Sequence, residues 1–110
     1  MGKQYLEMYD TDIFSVARAS KGKDKDGATI IFDEVLLYEN LPCHIIVKNG
    51  DEYSLQIRCS IEYDIKKNDK IVAIKRTLDA MGDWIEIDRY EGFALRPVIR
   101  QTRQIFIVNS

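Results

Sequence analysis

Few residues in this chain are equipped for covalent or metal chemistry. His44 is the sole histidine and directly follows Cys43; Cys59 is the second cysteine. A nucleophile needs a base within hydrogen-bonding reach and a third group to orient that base. Adjacent residues on an extended strand point to opposite faces, so Cys43 and His44 diverge. Asp33 and Glu34 are adjacent as well, and they diverge in the same way instead of converging on a substrate. Zinc takes about four ligands, which one histidine and two cysteines do not supply. With Asp24 and Asp26 at positions 1 and 3 of a calcium loop, Ala28 and Thr29 fall where a ligand and the invariant glycine belong. The six glycines stand singly, with no phosphate-cradling cluster. The reading is a chain with no catalytic residue, no cofactor and no metal. Its two thiols are expected to be buried and inert, with a disulfide open only if Cys43 lies on the strand beside Cys59.

Binding is better represented. Lys21, Lys23, Asp24, Lys25 and Asp26 fall in a polar stretch, residues 20–27, closed by an Asp26-Gly27 turn signal. It reads as a long mobile loop: a bare hairpin tip, or a segment that orders against a partner. Trp84 and Tyr90 alternate with Glu86 and Asp88. They are expected on an outer face as a protein contact, or as a cover over one end of the fold. Arg96, Arg100 and Arg103 precede the last apolar run. They read as a solvated edge that discourages aggregation, or as a basic rim for a charged partner.

The elements that position these residues read as strands. The cleanest alternation runs through residues 53–63, with Tyr53, Leu55, Ile57, Cys59, Ile61 and Tyr63 on one face and polar residues on the other. Asn49-Gly50 upstream suits a type I′ turn, so residues 43–48 and 52–63 are expected to form an antiparallel hairpin. The longer strand's far half must then pair elsewhere. Further strands are expected at residues 12–19, 28–38, 71–78, 84–90 and 98–108. A bulge is expected at Asp33-Glu34, a turn at residues 39–42, a loop at 79–83 and a bend at 91–97. Ile85 and Ile87 are expected in the core. About seven short strands and no convincing helix imply an all-β fold, a small antiparallel β-barrel. Residues 1–9 read as an N-terminal arm and residues 10–110 as a single β-barrel domain.

The chain has 110 residues, enough for one domain with a core of its own, and is 45% hydrophobic. The formal charge of −2 divides into −4 over residues 1–55 and +2 over residues 56–110. That is not the strong basic bias of a nucleic-acid-binding domain. No apolar run reaches the length of a membrane span, and no signal peptide opens the chain, so synthesis in the cytoplasm is expected.

Three segments together resemble the small head-closure, or head–tail connector, proteins of tailed bacteriophages, sometimes labelled minor capsid proteins. They are Tyr38-Glu39-Asn40-Leu41-Pro42-Cys43, Asp64-Ile65-Lys66-Lys67-Asn68-Asp69-Lys70-Ile71 and Arg103-Gln104-Ile105-Phe106-Ile107-Val108. The resemblance spans roughly residues 10–108. It departs from the family at His44, where a basic planar residue is common, and in lacking the C-terminal His-Glu pair of one large subgroup. The resemblance implies a non-enzymatic virion protein, made in the bacterial host cytoplasm and then housed at the head–tail junction. It implies a homo-oligomeric ring, with portal-side adaptor, connector and tail proteins as partners. DNA would pass through the ring without sequence-specific binding, and no membrane is involved. The rival classes are a small β-barrel that binds nucleic acid and a protein-adaptor domain that adds a strand to its partner along residues 98–108.

Overall fold

The computed structural model describes residues 10–23, 25–48 and 54–109. Among them lie seven strands: β1 (Asp12–Lys23), β2 (Thr29–Lys48), β3 (Ser54–Ser60), β4 (Lys70–Leu78), β5 (Trp84–Ala94), β6 (Val98–Arg100) and β7 (Arg103–Asn109). They form one sheet in the order β3-β2-β1-β4-β5-β7-β6, and an added β3–β7 pairing closes it on itself. The fold is therefore all-β and barrel-like, as the strand spacing predicts. All the pairings are antiparallel.

β6 adds no seventh stave. β7 pairs with β3 along one edge. Its other edge is shared end to end by β5, through Phe93 and Ala94, and by β6, through Val98 to Arg100. Residues 95–97, with Pro97, interrupt what is otherwise one stave. Pro97 has no N–H to give a ladder, which suits such a break.

The core is built from inward-facing residues of every stave. Phe14 and Val16 come from β1, Cys43 and Ile45 from β2, Leu55 and Ile57 from β3, and Ile71 and Ala73 from β4. Ala94 of β5 and Phe106 of β7 join them, with Cys59, Ile65 and Val108. Phe14 meets Phe106 edge-on, with ring centroids 5.8 Å apart.

Several boundaries differ from the expectations, each for a local reason. The polar stretch from Ser20 is strand through Lys23, because Lys21, Gly22 and Lys23 pair with Ile31, Ile30 and Thr29. The expected long loop is a short turn that includes Gly27 at φ +82°. Asp24 lies outside the described residues, as do residues 1–9 and the Asn49-Gly50 turn. The pairing that turn was expected to set is present, from His44↔Arg58 to Lys48↔Ser54.

The expected turn at residues 39–42 is a corner inside β2. β2 stays paired with β1 through this corner, at Leu41, Pro42 and Cys43, and takes β3 as its partner from His44 on. Asn40 takes φ +54°, and two register shifts fall opposite Ser15 to Ala17. A third shift, between Ala19↔Glu34 and Lys21↔Ile31, places an irregularity at the expected Asp33-Glu34 bulge. Bulges of this kind bend a strand so that a sheet can close.

The alternation expected through residue 63 ends sooner. β3 stops at Ser60, and Ile61 is 47% exposed in the following turn instead of buried. Leu55, Ile57 and Cys59 do face the core. β3 pairs with β2 as far as Arg58 and with β7 from Leu55 to Ser60, so its far end, Cys59 and Ser60, does pair elsewhere, with β7. The expected bend at residues 91–97 begins only after Ala94, and the last expected strand is a β6–β7 hairpin turning at Gln101, φ +55°.

Candidate functional site

Two features set the surface of this molecule. The first is a pair of hairpins that overhang opposite ends of the barrel. β1 and β4 are antiparallel and share only the rungs from Ile13↔Ile74 to Ala17↔Lys70. β1 therefore runs on past the start of β4, with β2 as its partner. β4 runs on past the start of β1, with β5 as its partner. The result measures 58 × 31 × 27 Å with a radius of gyration of 16.0 Å. A compact domain of this length has a radius of gyration of about 13 Å.

The β4–β5 hairpin carries a distinctive surface. From Leu78 to Asp88 it carries Asp79, Asp83, Glu86 and Asp88 and no cation. It also exposes Leu78, Met81, Trp84, Ile85 and Ile87, with Met81 at 87%. Its turn is internally fixed: Asp79 Oδ1 accepts from the N–H groups of Met81 and Asp83, at 2.8 and 2.9 Å. At the base, the Arg76 guanidinium lies 3.9 Å over the Trp84 ring and its Nε donates to the Thr11 carbonyl at 2.7 Å. Ile85 and Ile87, expected in the core, are 46% and 57% exposed. The register explains it. Lys75 pairs with Asp88 but Arg76 pairs with Glu86, so Ile87 is an extra residue at a bulge. Tyr90 lies opposite the core residue Ala73, so alternation turns Ile87 outward; the bulge returns Ile85 to the inner face opposite Thr77, but there β5 lies beyond the last core rung. Tyr90 itself partly joins the core, with its hydroxyl donating to Asp88 at 3.1 Å.

The second feature is an open groove of about 1360 Å³ over the outer face of β2, β3, β7 and β6. Its floor is apolar, including Val98, Ile105 and Ile107. Lys48, Arg58, Arg96 and Arg100 line it, and none of the four has an ion-pair partner among the described residues. Arg103 also borders the groove, but it is already held. It donates to both carboxylate oxygens of Asp10, at 2.6 and 2.9 Å, and those hydrogen bonds push its pKa up. His44 lines the groove as well, and its Nδ1 is buried without a hydrogen-bond partner among the described residues. Small-molecule sites run to roughly 1,000 Å³ and are more enclosed, so this surface suits a polypeptide or polymer better.

The residues singled out from the sequence are thus dispersed. Lys21 and Lys23 lie in β1 by their backbone pairing, and Lys25 and Asp26 are exposed at the β1–β2 turn. Trp84 and Tyr90 share the β4–β5 hairpin at different depths. Arg100 and Arg103 border the groove. Lys48 and Arg58 were not singled out. They alternate with core residues on their strands, a pattern that marks them as outward-facing without showing that they converge.

Two buried carboxylates are structural. Asp12, 2% exposed, accepts from Ile45 N–H at 2.9 Å and from Arg76 N–H at 3.1 Å. Asp69, also 2% exposed, accepts from Arg18 Nε and Nη2 at 2.8 Å each and from Lys66 N–H at 2.8 Å. Among the described residues, no group of three or more histidine, cysteine or acidic side chains is placed to hold a metal ion.

Cys43 and Cys59 are free thiols at 0% exposure. Burial pushes both pKa values up, that of Cys59 to about 12. In the unfolded chain thiols ionise near pH 8.5. Above that pH the unfolded state therefore holds fewer protons than the native state. The thiol contribution to stability is complete below about pH 8.5 and is lost as pH rises toward 12, by up to about 1.4 kcal/mol per pH unit per thiol. Urea denaturation is expected to show that alkaline decline, and Cys59→Ala is expected to make it shallower. In the native protein both thiols should resist iodoacetamide at neutral pH; rapid alkylation would contradict the burial.

Comparison with protein-family models, with curated proteins and with solved structures found no match. Among the described residues, no helix is long and apolar enough to cross a membrane.

Proposed function

We propose that this chain is a non-enzymatic assembly protein, a head-closure or head–tail connector component of a tailed bacteriophage. Copies form a ring that joins the DNA-filled head to the tail. One observation carries the reading beyond the sequence resemblance: a small barrel bears two hairpins overhanging opposite ends, with large apolar side chains exposed along the β4–β5 hairpin and at the root of the β1–β2 hairpin. Leu78, Ile85 and Ile87 are exposed on the β4–β5 arm, and Val35 at the root of the β1–β2 arm beside Leu36 and Leu37, which are exposed at the rungs β1 shares with β4. Apolar arms of this kind cost stability in a solitary molecule and repay it when a neighbour covers them. A connector subunit has neighbours above, below and on both sides. Its partners on this reading are portal-side adaptor and tail proteins, and DNA passes without sequence-specific contact. Assembly takes place in the host cytoplasm and the product is the virion.

The test is genetic. Replacing residues 21–31 by Asn-Gly keeps the barrel and removes the outer β1–β2 arm. Phage carrying that change should yield a folded protein together with unjoined heads and tails. Normal infectious particles from the shortened chain would sink the assignment.

A further inference from the structure

The groove and the β4–β5 hairpin match each other in chemistry. We infer that the hairpin of one copy seats in the groove of the next, giving a head-to-tail interface between identical chains. The inference rests on the ring-forming reading above and names the surfaces that would build it.

Charge is the first argument. The groove presents Lys48, Arg58, Arg96 and Arg100 without ion-pair partners among the described residues. The hairpin from Leu78 to Asp88 presents four carboxylates and no cation. Of these, only Glu86 has an ion-pair partner among the described residues, Arg89 at 3.0 Å. Apolar surface is the second argument. Val98 and Ile107 in the groove are 55% and 37% exposed, and the hairpin exposes Trp84 and Ile87.

Topology is the third. Around the closed sheet β3 stands across from β4, and β2 from β5. The groove over β2, β3, β7 and β6 therefore lies on the wall opposite the hairpin's own strands. One copy cannot satisfy both surfaces by itself. Two unlike patches on opposite walls make a heterologous contact, which generates a ring when the rotation closes. The hairpin is preorganised by its Asp79 turn and its Arg76 anchor, so little ordering entropy is lost on docking. Nucleic acid is the less favoured occupant. The groove exposes no aromatic platform for bases, since Phe106 at its floor is 1% exposed.

Sedimentation of the full chain and two neutralised variants tests the inference. The groove variant carries Arg58→Ser and Arg100→Ser; the hairpin variant carries Asp83→Asn and Ile87→Ser. All four positions are exposed, so each variant should fold, and thermal melts check this. The wild-type chain should self-associate more with concentration and less with salt, and each variant alone should associate about tenfold or more weakly. Mixed, the variants should give a one-to-one complex and nothing larger, since each retains one intact surface. Wild-type association untouched by either pair of changes overturns this interface and leaves the connector reading to the particle test. A wild-type chain that stays monomeric to its solubility limit overturns the interface too. So does a monomer whose groove instead binds duplex DNA with steep salt dependence.

Discussion

Gly92→Ala is expected to destabilise the protein by about 3 kcal/mol, the upper end for overpacking a dense interior. Gly92 sits in β5 opposite Ile71 of β4 while the next residue pairs with Asn109 of β7. Here β5 turns from one wall of the barrel to the next. A Cβ on Gly92 would overlap the carbonyl oxygen of Asn109 and lie 2.7 Å from its carbonyl carbon and 2.9 Å from Val108 Cγ1. Backbone atoms cannot rotate aside as a flexible side chain can, so the β5–β7 closure itself must open. Gly82→Ala is the control. Gly82 has φ +83° and open space around it, so the cost is confined to backbone strain of about 1–2 kcal/mol. Urea melts of the two variants should separate clearly. Equal losses would mean that the closure is not as tight as the geometry states.

Asp12→Ala is expected to cost about 3–5 kcal/mol, from two backbone donors left without an acceptor and a lost ion pair. Asp12 opens β1, where the ladders to both neighbours run out. Its last rungs are Asp12↔Cys43 with β2 and Ile13↔Ile74 with β4. The next donors, Ile45 N–H and Arg76 N–H, have no β1 backbone to pair with, and the Asp12 carboxylate accepts from both. Lys75 Nζ stands 3.9 Å from the same carboxylate. Asp12→Asn does not restore the arrangement, because one of its two acceptors becomes a donor facing a donor; it should recover less than half of the loss. Thermal unfolding reads this directly. An alanine variant within about 0.5 kcal/mol of the wild type, the range of ordinary surface changes, would exclude the capping role.

Much of this fold could be read from residue order. Alternation placed Leu55, Ile57 and Cys59 inward, and Asn49-Gly50 indicated the pairing of β2 with β3, because both signals are local. What failed was non-local. Ile85 and Ile87 have the pattern of core residues, but burial depends on whether the barrel extends that far along β5, and the inner face is set by Tyr90 lying opposite Ala73. Asn40 and Pro42 announced a turn, yet the same φ preferences serve a bulged corner that β2 rounds while still paired with β1. The segment from Asp64 to Ile71 read as a polar turn. Nothing in its composition showed that Asp69 would be buried to hold Arg18, which lies 51 positions away in sequence. The groove was half visible. Arg100 and Arg103 stood out as a cluster, while Lys48 and Arg58 join them only through the β2–β3–β7 register.

Reconstruction by electron microscopy of the head–tail junction, in particles from a genome that encodes this chain, bears most directly on the central claim. A ring is expected there, built from copies of this barrel, with each β4–β5 hairpin lying against the β3–β7 wall of its neighbour. A junction fully accounted for by other proteins, with no density that this barrel fits, would contradict it.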